Sequence, residues 1–461
     1  MAPRQSDLIA LDALGPRGSY HAHNRQVIPD VTGQPVAELS LVPTLFVTRC
    51  MKALRRADTL PSDERIAALT RAGTLFATAI LNGLSASAYE NAVSRVAGVP
   101  ISVVRATTHT LARSVSLAHH SVQRARPVGA AEGWRDPLTR TGRAVWARRG
   151  DVFAVHAAGN HPGVHSLWPE ALAMGYRVAV RPSRREPFTP HRLVTALRTA
   201  GFGEDQVVLL PTNHDVAEVI LRSADLGMAY GGDDVVRKYN GNTRILPQGP
   251  GRSKILLTAD VDWREHLDTV IDSVSHHGGT GCVNTTTVLV EGDPTPVAAA
   301  IAERLSAIPS LPPEDEKAVL PVQSVDRARA LEKHLLSKAN GTRAWLGGGG
   351  IVEELGDGSA VLRPAVHQLP RSNAEQARIE LPFPCVWIAP WAPEDGVAPL
   401  KETLVLTAFT HNERLIDDLF TEPTISNLYL GDHPTYWMEP GIPHDGYLAE
   451  FLMRTKAVIR D

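Results

Sequence analysis

The residue best suited to chemistry is Cys282, set in HHGGTGCVNTTTVLV between glycines and a β-branched run. The other cysteines, Cys50 and Cys385, are too distant to form a disulfide framework or a zinc knuckle with it, so sulfur chemistry here is that of a single thiol. A free cysteine is most often a small buried hydrophobe, and the residues around this one decide whether it is more. A thiolate adding to a carbonyl creates a tetrahedral oxyanion, and preorganised donors aimed at that oxygen are typically worth ~3 kcal/mol each. Asn160, in AAGNHPG about 120 residues upstream, carries a side-chain amide of that kind on a turn, although asparagine is also an ordinary turn residue that tolerates left-handed backbone. His156, His161 and His165 surround Asn160, and His276 and His277 precede the cysteine loop. None has the one-face i, i+4 spacing with an adjacent glutamate that marks a helical zinc site, so no metal is expected. A protonated imidazole near Cys282 would favour the thiolate.

These residues need rigid elements to hold them. From residue 151 the chain alternates VFAVHAAG, HSLWPEALAMG, RVAVRP, TPHRLVTALRTAG, VVLLP, VAEVILRSA and LGMAYGG, which is the pattern of a parallel sheet with crossover helices. In the helix after Pro187, Thr189 reads as the N-cap, Pro190 opens the first turn and Gly201 closes it. A second unit begins with SKILLTAD as a buried strand, followed by Leu267, Val270, Ile271 and Val274 at helical spacing. That helix breaks at Gly278-Gly279 and VNTTTVLVEG resumes as a strand, leaving Cys282 on a turn whose backbone amides are open to a ligand. Residues from about 60 to 125 carry helical spacing, as do Ile301–Leu305 and Ala328–Leu336.

The segment AAGNHPGVHSLWPEALAMGYRVAVRPS, followed in order by HHGGTGCVNTTTVLV and ARIELPFPCVWIAPW, resembles the aldehyde dehydrogenase superfamily from about residue 100 to the C-terminus. The resemblance implies a Rossmann-type cofactor domain, an α/β catalytic domain and a small β extension for oligomerisation, with RAVWARRG and RTKAVIR as its strands. Cys282 then matches the nucleophile and Asn160 the amide that polarises the substrate carbonyl. Arg181 stands where the family usually places a lysine at the adenosine ribose, and with Ser183 and Arg184 forms the loop after the strand. Arg184 falls where NAD-preferring relatives often carry a glutamate, and a guanidinium matches a 2′-phosphate, so NADP is favoured with NAD as the alternative; a solvated charge pair with Arg185 is the plainer explanation. Gly231 and Gly232 match the glycines at the pyrophosphate, but Asp233 and Asp234 bring acidic charge there. Glu380 matches the glutamate at the nicotinamide ribose, followed by an unusual LPFP. Tyr436 and Trp437 match a substrate-entrance segment, where they either line an aromatic pocket or serve interdomain packing.

The departure with most consequence is Gln248. Hydrolytic members place a glutamate in the matching segment, where it activates the water that cleaves the enzyme thioester. An amide cannot take that proton, unless Glu265 or another carboxylate substitutes. The resemblance therefore favours an NADPH-dependent reductase of acyl thioesters, bound to coenzyme A or a carrier, that makes an aldehyde. An NAD(P)-dependent dehydrogenase making an acid, or a non-catalytic scaffold, are the alternatives.

With 461 residues, several domains are expected, and we divide them as 1–249 for N-terminal helices and nucleotide binding (β extension near 125–150), 250–430 for catalysis, and 431–461 for substrate entrance and oligomerisation. A net charge of -3 gives no electrostatic reason to expect nucleic acid or anionic lipid, and no apolar run approaches the ~20 residues that span a bilayer. A cytoplasmic homodimer or homotetramer acting on a small molecule is the expectation.

Overall fold

The β-branched runs after residue 151 become strands because both of their faces can be covered by helices, the condition a parallel sheet requires. The computed structural model describes residues 8–461. Its first sheet runs in the spatial order Ile245–Gln248, Leu226–Tyr230, Val152–His156, Arg177–Arg181, Val207–Leu209, Ala13–Gly15 and Gly18–Tyr20. The first five are parallel, and the N-terminal hairpin adds antiparallel to the far edge. Alternate residues go to opposite faces: Val152, Ala154, Ala179 and Val208 pack with Val47, Cys50 and Ile220, while Phe153, Val155, Val178 and Val180 pack with Phe76, Leu111 and Leu193. Cys50 is thus a core residue, and burial pushes its thiol up to about 12.

The second sheet is ordered Arg343–Leu346, Ala365–Gln368, Cys385–Trp391, Thr285–Glu291, Ser253–Leu257, Thr403–Phe409 and Ile425–Leu430, with only the first pair antiparallel. Ser253–Leu257 is buried along its whole length, as the run SKILL implies. A smaller sheet pairs Met453–Val458 antiparallel with Arg143–Arg148, with Ala130–Ala131 on the far side.

Four helices, Ser62–Thr78, Ala86–Ala97, Ile101–Ser116 and Ala118–Ala125, fill the region read as helical. One boundary differs from its sequence reading. The helix Phe188–Thr199 has Pro187 at its N-cap and Thr189 inside its first turn. Thr189 cannot cap because its hydroxyl lies 2.9 Å from the Tyr89 phenol, and its N–H donates instead to the Glu186 carboxylate at 2.8 Å. The same helix is tied to its neighbours by the buried Arg192, whose guanidinium donates to the carbonyls of Phe76 (2.7 Å), Ala79 (2.6 Å) and Leu84 (3.1 Å). Arg192→Met strands those acceptors, and we expect a loss of about 2–4 kcal/mol in urea unfolding. An unchanged midpoint would show that the carbonyls do not depend on this side chain.

Candidate active site

The helix Leu267–Ser275 stops abruptly because His277, Gly278 and Gly279 all take left-handed backbone, with φ of 51°, 72° and 66°. Glycine adopts this freely, whereas His277 is held there against a steric penalty of about 1 kcal/mol or more. A Cβ on Gly279 would come within 2.5 Å of the Pro384 nitrogen, so the loop is seated directly on the unusual LPFP segment. Asn284 fixes the turn from beneath: its Oδ1 accepts from the Gly281 N–H (2.9 Å) and its Nδ2 donates to Ser273 and His276 carbonyls. Ser253 Oγ donates to the Cys282 carbonyl at 3.0 Å.

Cys282 itself is half-buried. Burial, then the charge of Glu380, pushes its thiol up to about 12, so it rests protonated at neutral pH. Its Sγ lies 3.5 Å from His444 Nε2. From the first sheet, the exposed Asn160 donates through Nδ2 to the Thr280 carbonyl at 3.0 Å, which puts its amide on the cysteine loop. Gln248 is buried at the end of its strand, paired in register with Tyr230, and its carbonyl accepts from the Gly231 N–H. Tyr230 is near enough for the Cys282 charge to act on its phenol, and donates to the Val164 carbonyl. Glu265 is exposed at the opposite end of the Leu267–Ser275 helix, roughly 13 Å along its axis from the cysteine loop.

Glu380 reaches this centre from the other side. It accepts from the Arg252 N–H at 2.9 Å, and burial holds its carboxyl above the usual range. Arg252 also binds both oxygens of Asp233 (2.6 and 2.7 Å), which explains how an acidic residue is accommodated at the start of the helix Asp233–Tyr239, after the Gly232 N-cap. At the adenosine end, Arg181 is buried beside Thr212, Arg184 donates to Gln26 and Ser183 accepts from the Arg185 N–H. A Cβ on Gly159 would overlap Ser183 Oγ, so the Asn160 turn packs on that loop. The charge of Arg181, followed by burial and Arg184, holds the exposed His214 below the usual histidine range.

Tyr436 stacks on His276 with ring centroids 3.6 Å apart, and His277 stacks in turn on His276 and His161. Burial drives His161 and His276 to about 3 and His277 to about 4, so this wall is aromatic and uncharged. Trp437 does not join it; 42 % exposed, it meets Tyr429 edge-on. His156 and His165 are pushed to about 3 by burial, and no group of three or more candidate metal ligands occurs among the described residues.

The model of the Aldehyde dehydrogenase family matches residues 26–400, most of the chain. The chain belongs to the aldehyde dehydrogenase family. Over 157 residues it is 24 % identical to malonate-semialdehyde dehydrogenase 1 of Geobacillus thermodenitrificans, a match covering 32 % of each chain. The curated relatives it matches are aligned over only 26 % and 32 % of their own length. An indole-3-acetaldehyde dehydrogenase solved with NAD+ superposes with TM-score 0.81 at 17 % identity, covering 97 % of this chain and 96 % of that one. An NADP-dependent enzyme of E. coli superposes with TM-score 0.80 at 14 % identity, covering 99 % of both.

Two neighbours of the thiol in this aldehyde dehydrogenase family member escaped sequence reasoning. Tyr230 stands in the quoted LGMAYGG and His444 in DHPTYWMEPGIPHDGY, but nothing local marks either as facing Cys282. Backbone clearance is equally hidden: a Cβ on Gly251 would overlap the Cys282 carbonyl oxygen and lie 3.0 Å from the Cys282 Cβ. Gly251→Ala should therefore displace the thiol and slow its alkylation by iodoacetamide about tenfold or more, with far-UV circular dichroism unchanged. Unaltered alkylation would show that the loop position does not matter.

Proposed function

We propose that the protein is an NADPH-dependent reductase of acyl thioesters, in which Cys282 holds the acyl carbon, Asn160 and the Cys282 N–H receive the oxyanion, and an aldehyde leaves. The observation that carries this reading is Gln248, an amide in the segment where the family's hydrolytic members keep a carboxylate. The carboxylates that act electrostatically on Cys282 are otherwise engaged, Glu380 by the Arg252 N–H and Asp445 by the Ser426 hydroxyl at 2.8 Å. An acyl group on the thiol is then better passed to another thiol than to water.

The bound nicotinamide nucleotide supplies or removes hydride at the acyl carbon. In this reading Arg181, Ser183 and Arg184 hold its adenosine ribose, Gly231 and Gly232 leave room for its backbone, and Glu380 takes the nicotinamide ribose. NADP is preferred on the strength of the Arg181, Arg184 and His214 cluster. Tyr436 forms one wall of the substrate entrance, while Trp437 stays outside it.

We also propose the division 1–249, 250–430 and 431–461, supported by the first sheet ending at Gln248 and the second opening at Ser253. The C-terminal strand Met453–Val458 is an edge flanked by exposed Ile459, Trp134 and Leu138, a surface suited to a second copy in a dimer or tetramer. Three free cysteines suit a reducing cytoplasm, and among the described residues no helix is long and apolar enough to cross a membrane.

A second reading, oxidation of an aldehyde to its acid, is favoured by one observation: His444 sits against the sulfur and offers a base where Gln248 does not. Gathering of thiol, amide and imidazole at one place argues against a mere scaffold. With aldehyde and NADP+, reductase chemistry gives a burst of NADPH of about one equivalent per site that stalls until coenzyme A is added. Steady acid formation without a thiol would establish the second reading instead. Gln248→Glu should raise thiol-independent acid formation about tenfold or more. Arg184→Glu should move the NADP-to-NAD ratio of kcat/KM about tenfold toward NAD; an unmoved ratio would leave Arg184 a surface charge.

A further inference from the structure

We infer that His444 is the proton acceptor for Cys282, forming with it a thiol–imidazole pair that generates the nucleophile when an acyl or aldehyde carbon arrives. The inference rests on Cys282 being the nucleophile, and holds for either direction of reaction.

The need for an acceptor comes from the surroundings of the sulfur. Glu380 and Asp445 both oppose a negative charge on Cys282, and the phenol of Tyr230 lies on a third side. The backbone amides of Cys282 and Val283 favour the thiolate but do not outweigh burial. A thiol so placed does not ionise unaided near neutrality, and its nucleophilicity depends on where its proton can go.

His444 Nε2 is the side-chain atom placed to take it, at 3.5 Å from Sγ. The imidazole is itself held below the usual histidine range by burial, with Asp445 as the opposing influence, so at rest it is neutral and has a lone pair to offer. Its other nitrogen, Nδ1, is buried without a hydrogen-bond partner. Among the described residues no side chain therefore orients the ring through a hydrogen bond at Nδ1. Its backbone is fixed instead by Asn427, on the edge strand Ile425–Leu430, whose Nδ2 donates both to the His444 carbonyl and to the Leu404 carbonyl. Asn427 acts as a positioning residue, tying the imidazole to the sheet that also carries the cysteine loop.

The proton balance is closed within the pair. As the Cys282 sulfur forms its bond to an acyl carbon, its proton passes to His444 Nε2. When the bond from that carbon to the carrier sulfur breaks, the departing thiolate takes the proton, leaving the imidazole neutral again. With an aldehyde the same proton is returned to the oxyanion as a hemithioacetal hydroxyl. No oxidant or reductant enters this step.

The test is the pH profile of Cys282 alkylation by iodoacetamide, followed by peptide mass, in the wild type and in His444→Asn and His444→Ala. Without the imidazole, the rate should fall at pH 7 by about thirtyfold and then climb about tenfold per pH unit while the wild-type rate stays level, so that the deficit closes at about pH 8.5. Free imidazole should restore part of the His444→Ala rate but leave His444→Asn unaffected. Asn427→Ala should reproduce a weaker version of the same pH-dependent deficit. Parallel profiles offset by a constant factor, with no rescue by imidazole, would overturn the inference and leave His444 a packing residue. If wild-type Cys282 is not alkylated at all, it is the assignment of the nucleophile that fails.

Discussion

The site depends on the cysteine loop being gripped from two sheets at once. Asn160, on the turn that leaves the first sheet, donates to Thr280, and Ser253, on an interior strand of the second, donates to the Cys282 carbonyl. A second bridge runs from Arg252 to Asp233, spanning the same boundary, while the Arg252 N–H holds Glu380. Each contact is modest alone, on the order of 1–3 kcal/mol. Together they fix a short loop whose own backbone is bent into left-handed conformation at three successive residues. The loop could not hold that shape unsupported, since His277 is the one member of the three without glycine's freedom.

Burial around this loop sets the electrostatic state of everything near it. Removing water raises the Cys282 thiol and the Glu380 carboxyl and lowers His161, His276, His277 and His444. The centre at rest thus holds a neutral thiol and neutral imidazoles. The thiol and its imidazole neighbours take on charge only with substrate, where fixed amide donors can stabilise it most strongly. In the proposed reading cofactor charge is met by Arg181 and Arg184, on either side of Ser183, against which the Asn160 turn packs.

Much of this was legible in the residues. The β-branched runs from 151 to 230 fold as the parallel strands expected of them, because a short, almost wholly apolar run between helices suits a strand covered on both faces. Cys282 and Asn160 were singled out and lie on the same loop contact. What stayed hidden was long-range pairing. His444 is 162 residues from Cys282, and no local pattern distinguishes it from any turn histidine. The Arg252–Asp233 bridge was equally unreadable, so the two aspartates looked misplaced at a helix start when one of them has a partner. Thr189 looked like a cap because its chemistry suits one, but tertiary contact with Tyr89 claims its hydroxyl. The N-terminal strands, short and weakly patterned, carry no signal that they complete the edge of the first sheet.

The most direct test of the proposed chemistry is intact-mass measurement after incubating the enzyme with an acyl-coenzyme A in the absence of reduced cofactor. The account predicts a gain of one acyl group, mapped by peptide mass to Cys282 and discharged when NADPH is added. An enzyme that gains no mass, or carries the acyl group on another residue, would contradict it.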